Sequence, residues 1–424
     1  MKHGMMTLDE LEVRGRTVFC RVDINSPVDR KAGRLRDTTR LAGSAPTVKE
    51  LSSQGARVVL LAHQGGDLEY HNYYSTSPHA EVLSDLIGRS VRFVEDVCGP
   101  AARQAIGQMA GGDVVLLDNV RFMTEETTMF ETKLRLSPEE QADTVVVRKL
   151  APLGDVYVCD AFAAVHRSQP TLVGFEELLP SAMGRLFEQE VDALSRVTND
   201  PVRPCIFVLG GAKVEDAFEM MGPVLSNGSA DHVLTGGLVA NIMLAASGFD
   251  IGDRSRRFLG QRGLDRFIDD ARGLVARYGD RIRMPSDVAY VDAQRREVLV
   301  TSLLAEGLIV DIGCETAERY AEIVSSAGTV FANGPMGVFE QDESEHGTEI
   351  VWTAIAESSA YTVIGGGDSI AAVNKYGLAG KFGYVSTAGG GMVRFISGEE
   401  LPVIRALKKA ALKYTRGEYG ARQN

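Results

Sequence analysis

Cysteine is scarce in this chain and scattered along it. The five residues, Cys20, Cys98, Cys159, Cys205 and Cys314, are odd in number, lie far apart and form no Cys-x-x-Cys pair. That pattern gives no disulfide framework and suggests no zinc site. Three of them fall in apolar strand-like segments, where a buried reduced thiol is the expected state. Net positive charge is also missing. Against 57 acidic residues stand 45 lysines and arginines, a balance of −12. Nucleic acid is therefore excluded as the main partner, because a phosphate backbone rewards a basic surface. A local basic cleft stays open. Long apolar runs are absent too. The most lipid-like stretch, His232 to Gly248, is interrupted by Gly236, Gly237 and Asn241, so no membrane association is expected. Met1 to Glu10 is polar and acidic without the apolar core of a signal peptide, and the expectation is a cytoplasmic protein. No short-period repeat is visible.

What is present is an ordinary globular composition, 44% hydrophobic and 24% charged, over 424 residues. That length exceeds one ordinary core, so two domains are expected. Short apolar runs alternate with helical patterns. Strand candidates are Thr17–Val22, Val58–Ala62, Val91–Phe93, Val114–Leu117 and Val156–Cys159, then Cys205–Leu209, His232–Thr235, Leu308–Ile312, Thr329–Ala332, Tyr361–Gly365 and Phe382–Val385. Near-continuous Val/Ile/Leu runs imply strands buried on both faces, hence parallel sheets flanked by helices. Between the two series, Met183, Leu186, Phe187, Val191, Leu194 and Val197 repeat at helical spacing, and Asn199-Asp200-Pro201 breaks the pattern. The reading is α/β: two similar-sized, doubly wound parallel-sheet domains joined by a long connecting helix.

Ligands in open α/β sheets bind beyond the carboxyl ends of the strands, so the residues there carry the information. In the first half they are polar and cationic: Arg21, Asp23 and Asn25; His63 and Gln64; Arg121; His166 and Arg167. In the second half they are glycine-rich: Gly210-Gly211-Ala212-Lys213, Thr235-Gly236-Gly237, Asn333-Gly334-Pro335-Met336-Gly337 and Gly365-Gly366-Gly367-Asp368-Ser369. The last cluster follows an apolar run and opens a helix-like segment. Glycines admit close approach of an anion, and a helix start offers free N–H groups and a positive dipole end. Asp368 adds a carboxylate where a phosphate-bound Mg²⁺ would sit. One half thus suits a small phosphorylated acid and the other the phosphates of a nucleotide. Each feature alone has a bland reading: Arg21 or Arg121 as a salt-bridge partner, His63 as a satisfied loop histidine, a glycine turn as structure.

Arg21-Val22-Asp23-Ile24-Asn25-Ser26-Pro27, Asn119-Val120-Arg121-Phe122 with Glu125-Glu126, and Asp160-Ala161-Phe162 with His166-Arg167 resemble motifs of the phosphoglycerate kinase family. So do Leu209-Gly210-Gly211-Ala212-Lys213-Val214, Asn333 through Glu340, Gly365 through Ser369, and Val385-Ser386-Thr387, all in conserved order over nearly the whole chain. Ala62-His63-Gln64, Phe162-Ala163-Ala164 and Ser168-Gln169-Pro170 look most like its archaeal-type branch.

The resemblance implies reversible ATP-dependent phosphorylation of the carboxylate of 3-phosphoglycerate to 1,3-bisphosphoglycerate, a step of glycolysis and gluconeogenesis, with Mg²⁺ and ATP/ADP. It implies that Asp23, Asn25, Arg40, His63, Gln64, Arg121, His166 and Arg167 hold the acid. Nucleotide binding would fall to Gly210, Gly211, Lys213, Gly236, Gly237, Asn333, Pro335, Glu340, Gly366, Gly367, Asp368 and Ser369. Asp368 would hold the metal, while Arg40, Lys213 and Gly366 would serve catalysis. Residues 1–182 with 405–424 would form the acid domain and 183–404 the nucleotide domain, closing about a hinge, in a monomer or homodimer. Three positions depart from the family pattern: Gly66 stands for an arginine, Ala217 for a lysine and Ala388 for a glycine. Gly66 leaves open a kinase of the same mechanism acting on another small acid, and a non-catalytic nucleotide-binding protein is a further alternative.

Overall fold

The computed structural model describes residues 1–29, 33–66, 73–291, 294–302 and 307–419. The chain divides into two compact units, Met1–Val191 with Glu400–Asn424, and Asp192–Glu399. These limits differ from the expected boundaries at 182/183 and 404/405.

The first unit is built on a six-stranded sheet in the spatial order Val91–Val94, Val114–Leu117, Arg57–Leu61, Thr17–Arg21, Val156–Cys159, Ser181–Met183. Every neighbouring pair is parallel. Thr17–Arg21 is buried along its whole length, as a central strand covered on both faces must be. That explains its unalternating sequence. Ser181–Met183 was not anticipated: three residues of edge strand carry too little pattern to be read.

Helix Pro402–Thr415 belongs to this unit and buries Val403, Ala406, Leu407, Ala410 and Ala411. Lys409 pairs with Glu177 at 2.7 Å and with Glu139, and Lys413 also pairs with Glu177.

Within the second unit lies a parallel sheet in the order Ile282–Arg283, His232–Thr235, Cys205–Leu209, Thr329–Asn333, Tyr361–Gly365, Tyr384–Ser386. One expectation fails here. Ile309–Ile312 does not join this sheet; with Asp287–Val291 and Arg295–Leu299 it forms a separate three-stranded antiparallel sheet. Arg295–Leu299 is mostly exposed and polar, so its hairpin had no apolar signal. No helix among the described residues is long and apolar enough to cross a membrane.

Helix Arg185–Thr198 runs continuously through the boundary between the units. Its start is heavily anchored. Buried Asp160 accepts from the backbone N–H groups of Leu186 (2.9 Å) and Phe187 (3.2 Å), satisfying donors that a helix leaves open. A Cβ at Gly184 would stand 2.2 Å from Asp160 Oδ1, so only glycine fits. The Arg185 N–H donates to Thr47 Oγ1, and its guanidinium bridges Asp9, Glu50 and Glu188.

Candidate active site

In the first unit, one histidine touches one guanidinium group and feels the charge of three more. His63 follows strand Arg57–Leu61 and is buried. Burial first, then the charges of Arg21, Arg121, Arg40 and Arg167, hold it well below its ordinary value, so it is neutral. Arg21 Nη2 lies 3.1 Å from His63 Nδ1. Because arginine can only donate, Nδ1 is the acceptor and the proton resides on Nε2. Arg21 itself is fully buried at the end of its strand, giving hydrogen bonds also to Thr171 Oγ1 (3.1 Å) and Val22 O (2.7 Å). Thr171 in turn donates through N–H and hydroxyl to Glu126. Burial raises the Glu126 carboxyl to about 7, against the pull of Arg21.

The remaining acid-side candidates divide by what they already hold. Arg40 pairs with Asp23, whose other oxygen accepts from Asn25 N–H. Asn25 Oδ1 accepts from Gly65 N–H (3.0 Å), and Arg121 donates to the carbonyl of Gly65. Arg167 donates to Thr128 and pairs with Glu131 at 3.6 Å; His166 beside it is partly buried. Gln64 is fully engaged in scaffolding: its amide bonds both ways with Ser26, and its oxygen also meets His79 Nε2. Its backbone is clasped by Asn119. Gln64 therefore shapes the loop that carries His63. Its side chain is occupied.

In the second unit the glycines separate into two kinds. At Gly210 an added Cβ would lie 2.3 Å from Pro335 O, at Gly237 2.6 Å from Gly211 N, and at Gly334 2.1 Å from Gly210 O. Gly236 would meet Met336 at 2.6 Å. These loops are packed backbone to backbone, which alone requires glycine. Ser369 secures the arrangement by accepting from Gly334 N–H at 2.7 Å. Gly366 and Gly367 differ. Gly366 takes φ 90° at the start of helix Gly367–Lys375, and a Cβ on Gly367 would touch nothing within 4 Å. The N–H groups of Gly367 and Asp368 have no hydrogen-bond partner among the described residues, and a helix start with free N–H groups is suited to an anion.

A pocket of about 280 Å³ adjoins these loops, and its lining includes Gly211, Gly237, Pro335, Glu340 and Asp368. Leu238, Leu308, Val310, Val338 and Phe339 supply its apolar wall. Sequence reasoning missed that wall, although Leu308 and Val310 lie in a run it had marked as a strand. Their role depends on the antiparallel sheet that it did not foresee. Lys213 and Asp368 are both exposed, and the side chain of neither makes a hydrogen bond or ion pair to a described residue. Asn333 ends its strand beneath Gly366, with its Oδ1 3.1 Å from where a Gly366 Cβ would be. One exposed carboxylate beside a phosphate cradle fits Mg²⁺, which keeps waters and shares itself between a carboxylate and substrate phosphates. Among the described residues no group of three or more His, Cys, Asp or Glu side chains is placed to hold a metal ion.

Residues 8–399 match the family model described as phosphoglycerate kinase. The chain belongs to this family. It is 44% identical over 404 residues to the phosphoglycerate kinase of Methanothermus fervidus, covering 95% of this chain and 97% of that one. To the enzyme of Thermococcus kodakarensis it is 43% identical, with the same coverage. Among solved structures, phosphoglycerate kinase from Pyrococcus horikoshii OT3 superposes with a TM-score of 0.86 at 42% identity, covering 96% of this chain and all of that one. The Coxiella burnetii enzyme gives 0.81 at 29% identity. Members are phosphotransferases with a carboxyl group as acceptor, and so is this chain.

The departures from the family pattern can now be placed. Gly66 is exposed, and a Cβ there would meet no described residue within 4 Å. Asp67, Leu68, Glu69 and Tyr70, which follow it, lie outside the described residues. Ala217 is buried on helix Val214–Ser226. Ala388 is buried but does not take a positive φ, so its backbone makes no demand for glycine.

Proposed function

We propose that this chain transfers the γ-phosphoryl group of ATP, reversibly, to the carboxylate of 3-phosphoglycerate. The buried Arg21–His63 contact, with the charges of Arg40, Arg121 and Arg167 acting on the same histidine, carries the reading. A free carboxylate, with a pKa of roughly 4, is ionised at neutral pH and needs no general base. The residues must instead hold two anions together and stabilise charge in transit. In this reading the guanidinium groups and the Nε2–H of His63 bind and orient the acid, its carboxylate oxygen attacks phosphorus, and the bond from phosphorus to the ADP oxygen breaks. Arg40 stabilises the transferring group. Lys213 and the N–H groups of Gly366 and Gly367 hold nucleotide phosphate, and Glu340 the ribose. Asp368 would hold Mg²⁺, which when bound neutralises phosphate charge. Hinge bending belongs to the same reading, because acceptor and donor are assigned to different units and transfer requires contact.

Formation of ADP from Mg-ATP and 3-phosphoglycerate in a coupled assay tests this. No turnover there, with turnover on another small acid, would favour the second reading, which Gly66 motivates: one guanidinium fewer weakens phosphate binding by roughly 1.5–3 kcal/mol. If 3-phosphoglycerate turns over and the pocket is otherwise standard, Gly66→Arg should lower its KM; an unchanged or higher KM would indicate a rebuilt pocket.

A further inference from the structure

A second pocket in the second unit, of about 750 Å³, has no role assigned above. It opens where edge strand Ile282–Arg283 meets helix Cys314–Ser325. Arg283, Arg319 and His232 line it, and its described lining contains no aspartate or glutamate, in a chain of net charge −12. Both arginines are exposed. Neither makes an ion pair to a described residue; Arg319 has only a long contact, 3.5 Å, to Met284 O. His232 Nδ1 is buried without a hydrogen-bond partner. Burial, then the charge of Arg283, lowers its proton affinity.

Apart from Ser286 and Ser326 the rest of the wall is apolar, with Ile206, Phe249, Ile282, Val300 and Ile323 prominent. A bare inorganic anion would leave that wall in water. A ligand with an apolar body and one acidic group would cover it while meeting both guanidinium groups. The volume is in the range of small-molecule sites.

This pocket is back to back with the nucleotide pocket. Pro285 lines both. The carbonyl of Arg283 accepts from Thr235 Oγ1 at 3.1 Å, and Tyr320 Oη lies 2.8 Å from that carbonyl and 3.2 Å from the carbonyl of Thr235. Thr235 immediately precedes the Gly236–Gly237 turn.

We propose that this pocket is a second ligand site, distinct from the nucleotide pocket, which takes a small organic anion with an apolar body. The probe is 8-anilinonaphthalene-1-sulfonate, titrated by fluorescence into the full chain with saturating Mg-ADP to fill the nucleotide pocket. Saturable binding of one dye per chain is expected. Arg283→Ala combined with Arg319→Ala should weaken it at least fivefold. Ser326→Trp, on an exposed position of the rim, should do so with both charges kept. Unchanged thermal midpoints identify folded variants. Loss of binding under Mg-ADP, or a weakening below fivefold in both variants, overturns the proposal. Displacement of the dye by inorganic sulfate at equal concentration would overturn the apolar part of the ligand assignment.

Discussion

Arg21 is a charge placed where charge is expensive. Fully buried, it touches no carboxylate among the described residues; a hydroxyl, a carbonyl and an imidazole nitrogen share its donors. The carboxyl nearest to it in this network, Glu126, stands one residue away behind Thr171. Such a chain fixes the imidazole's orientation and tautomer while leaving guanidinium charge to act on a ligand. Glu126 rises from 4.5 to about 7 through burial. The folded state thus favours its protonated form, and its contribution to stability is full below pH 4.5 and lost as pH rises through about 7. Glu126→Gln removes this dependence. In urea unfolding, the stability of the variant relative to wild type should rise by up to about 3 kcal/mol between pH 4.5 and 7.5. A difference that stays flat with pH would deny the titration. Arg40→Ala should lower kcat by about 10³-fold, as for other arginines that stabilise a transferring phosphoryl group; a loss under tenfold would remove Arg40 from that role. His63 was legible in the sequence because polar residues at strand ends stand out, whereas Arg40, on helix Thr39–Ser53, was reached only through the family resemblance. The occupied state of Gln64 was not legible, because its partners Ser26, His79 and Asn119 are distant in sequence.

At the scale of elements, the glycine loops show why a motif can be right about place and incomplete about cause. Strands Cys205–Leu209, His232–Thr235 and Val114–Leu117 could be read residue for residue, since each is a buried apolar run. The loops that follow were read as anion cradles. In the structure most of their glycines are small because another loop's backbone presses on them, which no local pattern reveals. The two roles can be separated. Gly334→Ala places a Cβ 2.1 Å from Gly210 O at φ 85° and should destabilise the second unit by roughly 2–5 kcal/mol in chemical denaturation. Gly367→Ala meets no neighbour and should leave stability unchanged or slightly higher. If Gly367 approaches phosphate, the same substitution should weaken ADP binding at least fivefold by calorimetry; unchanged affinity would place the phosphates elsewhere.

For the whole molecule, two compact units imply two separable thermodynamic objects. Ligands raise the stability of the part that binds them. In scanning calorimetry, Mg-ADP should raise the transition of Asp192–Glu399 and 3-phosphoglycerate that of Met1–Val191 with its C-terminal helix. Leu407→Ala, which opens a cavity under that helix, should lower the first unit by about 2–5 kcal/mol and leave the ADP-responsive transition unmoved. A single transition that shifts equally with either ligand would show the units unfolding as one. The two-unit plan was readable from length and from two runs of strands. The edge strand Ser181–Met183 and the hairpin beginning at Asp287 were not, being short or polar.

Helix Pro402–Thr415 completes the first unit but is made after all of the second. A ribosome must therefore release residues 192–399 while the first unit still lacks one wall. The nascent first unit waits with the faces that will bury Val403 and Leu407 uncovered, and the later-made half can finish folding first. Synthesis order and completion order are reversed, so slow elongation through the second unit prolongs the vulnerable state of the first.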